Sequence, residues 1–570
     1  MSRLHYTISY RQPNRQLIDI EYRISKLDAQ EVHLTLPNWR PGRYEMGNFA
    51  KNIRGFDVLD THGNSLPFQK TSKNEWIIQT QGNTEIRVKY DYYAAELNAG
   101  STWLDEQQLY MNPVNCLVYV TDFRDEPCTI QLQIPNDYQV AWDLPALLQR
   151  NYYAAENYDR LADAPFIASA KLKHHSFETG NHRFHLWIMG TEKPPFEKLE
   201  SDFRKFCDAQ LEAMGALPGP EYHFLFQVLP IPWYHGVEHT YSTVCALGPE
   251  PLVFEGKGYN DLLGVSSHEL YHAWNVKTIR PAEMQPYDYK QENYSRLGWI
   301  YEGITTYYGD QFLIRSGAFN EAQYFETLNE KLHKHFVSYG RLNQSVADAS
   351  FDTWLDGYVP GIPHRKSSIY TEGSLIALIL DMEIRKLSND EKSLDDFMRY
   401  LKGKQVYSKE TLLEGLYNLD LKDCVEFYES YIEKPGNLEP LLKESLNRVG
   451  IEMNEKKMFS EGEHTWGFVI QEQAAGYFCG LVAPNSPAEK AGMRSGDQVL
   501  AINGMRISKN WKKQLGVSDR LSLHVFSSER LTERTLQKND SNYFLSREAC
   551  LIKEMNTAQQ EALKKWAVNL

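Results

Sequence analysis

The chain has 570 residues, of which 42% are hydrophobic and 24% charged, and a formal net charge of −14. This composition supports three or four packed domains and excludes a disordered chain, while the acidic balance argues against nucleic acid as the main partner. The amino-terminal MSRLHYTISYRQPNRQ lacks a secretory apolar core, and no run approaches the ~18 apolar residues of a membrane span. With seven scattered cysteines and no CxxC pair, a cytoplasmic protein with free thiols and no membrane span is expected.

Residues 1–170 alternate with period two: Ile18, Ile20, Tyr22 and Ile24, then Val32, Leu34 and Leu36, then Ile86, Val88, Tyr90 and Tyr92, then Ile130, Leu132 and Ile134. Short alternating runs closed by Pro, Gly, Asn or Asp predict half-buried antiparallel strands of a sandwich. Residues 38–52, NWRPGRYEMGNFAKN, break the alternation at Pro41 and Gly42 and read as a long loop carrying Arg40 and Arg43, solvated before it is a substrate contact. From Phe196 the period becomes helical, with Phe203, Phe206 and Leu211 on one face and a stop at Gly215, after which YHFLFQVLP reads as a buried strand. Helices then dominate to about residue 450, and a third unit follows the KPGNLEP punctuation at 434–440 and one further helix. The whole predicts a multidomain α+β protein: an N-terminal β domain (1–170), a mostly helical domain (171–453), a compact unit (454–530) and a C-terminal segment (531–570) whose terminal helix, NTAQQEALKKWAV, should dock on another domain.

SSHELYHAWN, residues 266–275, holds His268 and His272 four positions apart. On a helix that spacing puts both imidazoles on one face, able to reach one metal, with Glu269 ~100° further round as a candidate general base. A catalytic zinc usually takes three protein ligands and leaves one position for water. The third candidate is Glu302, in the apolar segment LGWIYEGITTYYGD, where a carboxylate is costly to bury unless paired or metal-bound. The pairs His174–His175 and His333–His335 lie in charged surroundings and read as solvated. Residues 483–507, APNSPAEKAGMRSGDQVLAINGMRI, parse as an N-cap at Ser486, Pro487 at the first helical position, Glu489 closing a capping box, a helix end at Gly492, a strand QVLAI and a hairpin turn at Asn503-Gly504.

SHELYHAWNVKTIRP followed by WIYEGITTYY resembles the glycyl aminopeptidase family of gluzincin metallopeptidases, which carry a PDZ domain at the carboxyl end. The resemblance covers most of the chain, including NWRPGRY, and implies a thermolysin-like catalytic domain at 171–453 and a PDZ domain at 454–530. It implies that His268, His272 and Glu302 bind one zinc ion and that Glu269 is the base of a zinc-activated water attack. WYHGVEHTYS, residues 233–242, is similar to the family's Gly-Gly-Leu-Glu-His stretch, with His235 in place of a glycine; Glu238 would bind the substrate's α-ammonium, with His239 beside it. SSIYTEGSLIALILDMEIRKL resembles the family's Tyr-x-Lys-Gly stretch and makes Tyr370 the oxyanion donor, while Glu372 replaces the lysine and would reverse a charge near the cleft mouth. Tyr307 and Tyr308 are rival donors by position, though tyrosines on an apolar helix face are more often core. Trp466, Gly467 and Phe468 stand where a PDZ carboxylate-binding loop would be.

The expected function is removal of small amino-terminal residues, glycine or alanine, from peptides with a free amine, with a peptide carboxyl terminus as a further partner at the PDZ unit. Two alternatives stay open: an adaptor whose zinc site is structural or inactive, and a zinc endopeptidase with Glu238 merely shaping the cleft.

Overall fold

The computed structural model describes residues 2–356, 358, 361–567 and 570. The alternating runs of the first 170 residues form three sheets. In the largest, the strand order is Tyr152–Ala155, Cys128–Gln133, Leu4–Ser9, Leu17–Ser25, Glu85–Tyr93, Ile53–Leu59. Ile18, Ile20, Tyr22 and Ile24 pair with Tyr92, Tyr90, Val88 and Ile86 and point inward. Pairing is antiparallel except between Leu4–Ser9 and Cys128–Gln133, which run parallel because a long excursion separates them.

NWRPGRY is not solvated. Asn38, Trp39 and Arg40 are buried, and Trp39 donates its indole N–H to the Asp288 carbonyl (2.6 Å) and packs edge-on against Tyr287 and Trp354. A loop can be buried when its polar groups find partners, and this one finds them on the helical half that follows, at Asp288 and Lys290.

That half is built on a five-stranded sheet, ordered Lys173–Thr179, His182–Met189, Glu221–Val228, Ser242–Gly248, Trp233–Glu238. Helix Phe196–Met214, ended by Gly215, covers one face with Phe203 and Phe206. The motif helix, Gly256–Tyr271, packs on the same face, where the Tyr222 hydroxyl donates to the Glu269 carbonyl (3.2 Å). Tyr307 and Tyr308 belong to the core, their hydroxyls donating to Asp381 (2.5 Å) and Asp395 (2.7 Å).

After the helical region, Ile451–Lys456 pairs antiparallel with Ser546–Leu551, bracketing a sheet ordered Phe468–Gln473, Gly476–Val482, Gln498–Ile502, Arg520–Ser527, Arg530–Gln537. Ser486 caps Pro487–Lys490, and Asn503 and Gly504 take positive φ (51° and 73°) at the hairpin turn. The terminal helix Thr557–Trp566 docks as expected: Ala562, Leu563 and Trp566 enter the catalytic core, and the Trp566 indole donates to the Tyr307 hydroxyl (3.0 Å). Val568, within the segment read as that helix, lies outside the described residues. Among the described residues all seven cysteines are free thiols, and no helix is long and apolar enough to cross a membrane.

Candidate metallopeptidase active site

His268 lies one turn before the end of the motif helix and His272 caps it. Their Nε2 atoms face each other at 3.0 Å with the rings nearly perpendicular (82°). Glu302 sits in a π-helical turn, Trp299–Ile304, whose extra residue per turn re-aims one side chain. Its Oε2 lies 3.8 Å from His268 Nε2 and 3.5 Å from His272 Nε2. This turn approaches helix Ile369–Leu387 so closely that a Cβ on Gly303 would stand 2.4 Å from Gly373 Cα; glycine is required at the crossing.

The surrounding groups orient the triad. His272 donates its Nδ1 proton to the Asn275 carbonyl (2.6 Å), which turns its Nε2 toward Glu302. Asn275 in turn donates its side-chain amide to the Ile300 carbonyl (2.9 Å), tying the end of the motif helix to the π-turn. The Tyr44 hydroxyl donates to Glu302 Oε1 (2.8 Å). Burial alone would lower the His272 pKa, but Glu302 raises it to about 9; the pair favours a positive charge that a divalent cation would replace. Three donor atoms within 4.8 Å of one another, two imidazoles and a carboxylate, with His272 and Glu302 each held by a second partner, fit zinc.

Glu269 is buried, and burial pushes its carboxyl up to about 8. Glu238, from edge strand Trp233–Glu238, is buried beside it. Ligand atoms of Glu238, Glu269 and His272 also lie within 4.8 Å of one another. One oxygen of each carboxylate, Glu238 Oε1 and Glu269 Oε2, is buried without a hydrogen-bond partner. Two glycines permit this crowding: a Cβ on Gly236 would meet Glu269 Oε1 at 2.2 Å, and one on Gly42 would meet Glu238 Oε2 at 2.3 Å. Gly42 also has φ +82°, the left-handed region that disfavours side chains. The cleft encloses about 690 Å³, and Tyr358 and Tyr370 line it with these residues.

The structure thus brings His268, His272, Glu302, Glu269, Glu238 and Tyr370 together. His239 turns away, its Nδ1 3.1 Å from Asp163, which also takes the Lys277 ammonium (2.9 Å) in a separate cavity of about 190 Å³. His235 lines the cleft, and burial pulls its pKa down to about 3. Glu372 reverses no charge at the cleft mouth: it is buried with its carboxylate 2.8 Å from His335 Nδ1, so His335 is a buried partner rather than a solvated residue. Trp466 and Phe468 are core side chains, and Gly467 ends helix Glu461–Trp466 with φ 72°. Sequence reasoning missed Gly42, Tyr44, Gly236 and Asn275. Only Asn275 carried a signal, as a polar residue ending an otherwise apolar turn.

Fold and cleft together define a class, the zinc metallopeptidases of aminopeptidase type. The Peptidase M61 N-terminal domain model matches residues 5–170, the M61 glycyl aminopeptidase model residues 261–376, and a PDZ domain model residues 480–514. The chain thus matches both domain models of the M61 glycyl aminopeptidases, and such a match implies zinc. Among solved structures, an aminopeptidase N family protein from Idiomarina loihiensis is similar over 99% of this chain and 100% of its own, at 25% identity and a TM-score of 0.88. A variant M1 zinc metallopeptidase from Deinococcus radiodurans, bound to a Tyr-Ser-Ala substrate, matches 73% of this chain and 90% of its own at 12% identity and TM-score 0.45. Yeast LTA4 hydrolase in complex with bestatin matches 76% of this chain and 68% of its own at 14% identity and TM-score 0.45. No curated protein matches.

Proposed function

We propose that the protein removes small amino-terminal residues, glycine or alanine first, from peptides, with His268, His272 and Glu302 holding one zinc ion and Glu269 as general base. The observation that carries this reading is the pair of buried, unpartnered carboxylate oxygens, Glu238 Oε1 and Glu269 Oε2, beside the triad. Buried acceptors without partners are costly, so these two await donors from a ligand.

Zinc, when bound, supplies Lewis acidity that eases loss of a proton from water and polarises a carbonyl. Glu269 takes the proton from the attacking water and returns it to the leaving amine; a carboxyl whose pKa is raised by burial suits both duties. Glu238 accepts hydrogen bonds from the substrate α-ammonium, and Gly42 packed on its far side stops the chain there, which favours an exopeptidase over an endopeptidase. Tyr370 donates its hydroxyl to the carbonyl oxygen as charge develops. Tyr44 and Asn275 hold Glu302 and His272 in place. A structural zinc site would need a fourth protein ligand, often cysteine, and among the described residues no cysteine joins the cluster.

The PDZ unit would take a peptide carboxyl terminus along Phe468–Gln473, the sheet's edge strand. A peptide there competes with Glu463, whose Oε1 already accepts the Ile470 amide (3.1 Å).

The test is hydrolysis of a matched pair by zinc-loaded protein: a glycine-led peptide with a free amine, and the same peptide acetylated. Cleavage of the free form alone, after its first residue, is expected. Internal cleavage of both would make the protein an endopeptidase, and no cleavage of either would return it to the adaptor reading.

A further inference from the structure

The motif helix covers one face of the catalytic sheet; the other face packs on the N-terminal domain through Leu225, Val237 and Val244. At the end of that face, strands His182–Met189 and Glu221–Val228 run parallel and set His185 directly beside His223, with Glu221 two residues before it on the same side. His185 Nε2 lies 3.6 Å from Glu221 Oε2, and His223 Nε2 lies 3.9 Å from the same oxygen. The two imidazoles are 12% and 9% exposed, while Glu221 opens to solvent at 48%. His185 Nε2 is buried without a hydrogen-bond partner, and Glu221 makes no ion pair with lysine or arginine among the described residues.

We infer that His185, His223 and Glu221 form a second metal site, apart from the peptidase cleft, for a divalent cation of the zinc class.

Two imidazoles and a carboxylate are a borderline donor set that suits zinc, nickel or copper better than magnesium or calcium. One donor atom from each lies within 4.8 Å of the others. His174, from the neighbouring strand, places its Nε2 3.0 Å from His185 Nδ1, so His185 can donate there and turn its Nε2 lone pair inward, as metal-bound histidines do. The exposed carboxylate leaves room for water to complete the coordination.

Two features limit affinity. The rings stack at 20° with centroids 4.4 Å apart, so at least one imidazole must rotate toward the carboxylate. The Trp187 indole also donates to His223 Nδ1 (3.2 Å), which keeps that ring's proton on Nε2. Loading Nε2 moves the proton to Nδ1 and gives up the tryptophan hydrogen bond.

Full-length protein, stripped with a chelator and dialysed against excess Zn²⁺, should hold one more zinc per chain than Glu221→Gln or His185→Asn treated alike. Aminopeptidase rates should be equal in all three. The count is a difference, so it stands whatever the cleft itself binds, and the exposure of Glu221 makes that variant safe for folding. Trp187→Phe should tighten the extra site about fivefold, the worth of one net hydrogen bond, and His174→Phe should weaken it about tenfold. Equal zinc content in parent and both ligand variants overturns the inference, as does unchanged or weakened binding in Trp187→Phe.

Discussion

Two His-His-Glu clusters sit on opposite faces of one sheet, and they differ in how they are held. In the cleft, His268 and His272 stand on adjacent turns of a helix, their rings 82° apart and their Nε2 atoms 3.0 Å apart. In the sheet cluster, His185 and His223 come from neighbouring strands and stack at 20°. Helical rise lets two imidazoles converge on a point, whereas strand pairing leaves them parallel. The cleft histidine with the strongest support, His272, is fixed by a carbonyl and drawn up by Glu302; its sheet counterparts are drawn down by burial. Donor type is the same in the two clusters; what differs is how far each is pre-organised.

The largest effect should come from the cleft's unpartnered base. Glu269→Gln should lower kcat/KM by about 10³ with zinc content unchanged, measured by steady-state rates and metal analysis; full activity would break the assignment. Gly236→Ala places a methyl where Glu269 Oε1 now lies, 2.2 Å from it. A base displaced by about 1 Å should cost roughly 10² in kcat with zinc retained, and loss of zinc instead would show that Gly236 supports the ligands. Glu238→Gln should reduce the preference for free over acetylated substrate by about 30-fold, the worth of a hydrogen bond to a charged group, read from paired kcat/KM values.

The smallest effect belongs to the sheet cluster. His223 is buried, with a pKa held down to about 3, so the folded state keeps it neutral while an unfolded chain protonates it near 6.5. Protonation therefore favours unfolding as pH falls below that value, by about 2 kcal/mol at pH 5 relative to pH 7. His223→Gln should remove that part of the pH dependence, seen as a smaller shift in urea midpoint between the two pH values. An unchanged shift would place the acid sensitivity elsewhere.

Part of the site was legible because its geometry is local. His268, Glu269 and His272 fall within five residues, and Glu302 stood out as a charge in an apolar run. Gly42 and Tyr44 were read as solvated loop because nothing in NWRPGRY says that it crosses to another domain. His335 read as solvated for the opposite reason: its neighbours in sequence are charged, but its partner Glu372 is distant in the chain.

Sequence by itself determined what repeats at short period: the inward-facing strand residues, the paired histidines of one helix face, the Ser486 cap and the Asn503-Gly504 turn. These follow from backbone geometry, which each segment carries within it. Tertiary structure alone decided that Tyr44 braces Glu302, that Gly42 walls Glu238, that His239 leaves the cleft for Asp163, and that His185 meets His223. Those pairings depend on which faces bury against each other, and the chain's folding settles that over separations no local pattern encodes.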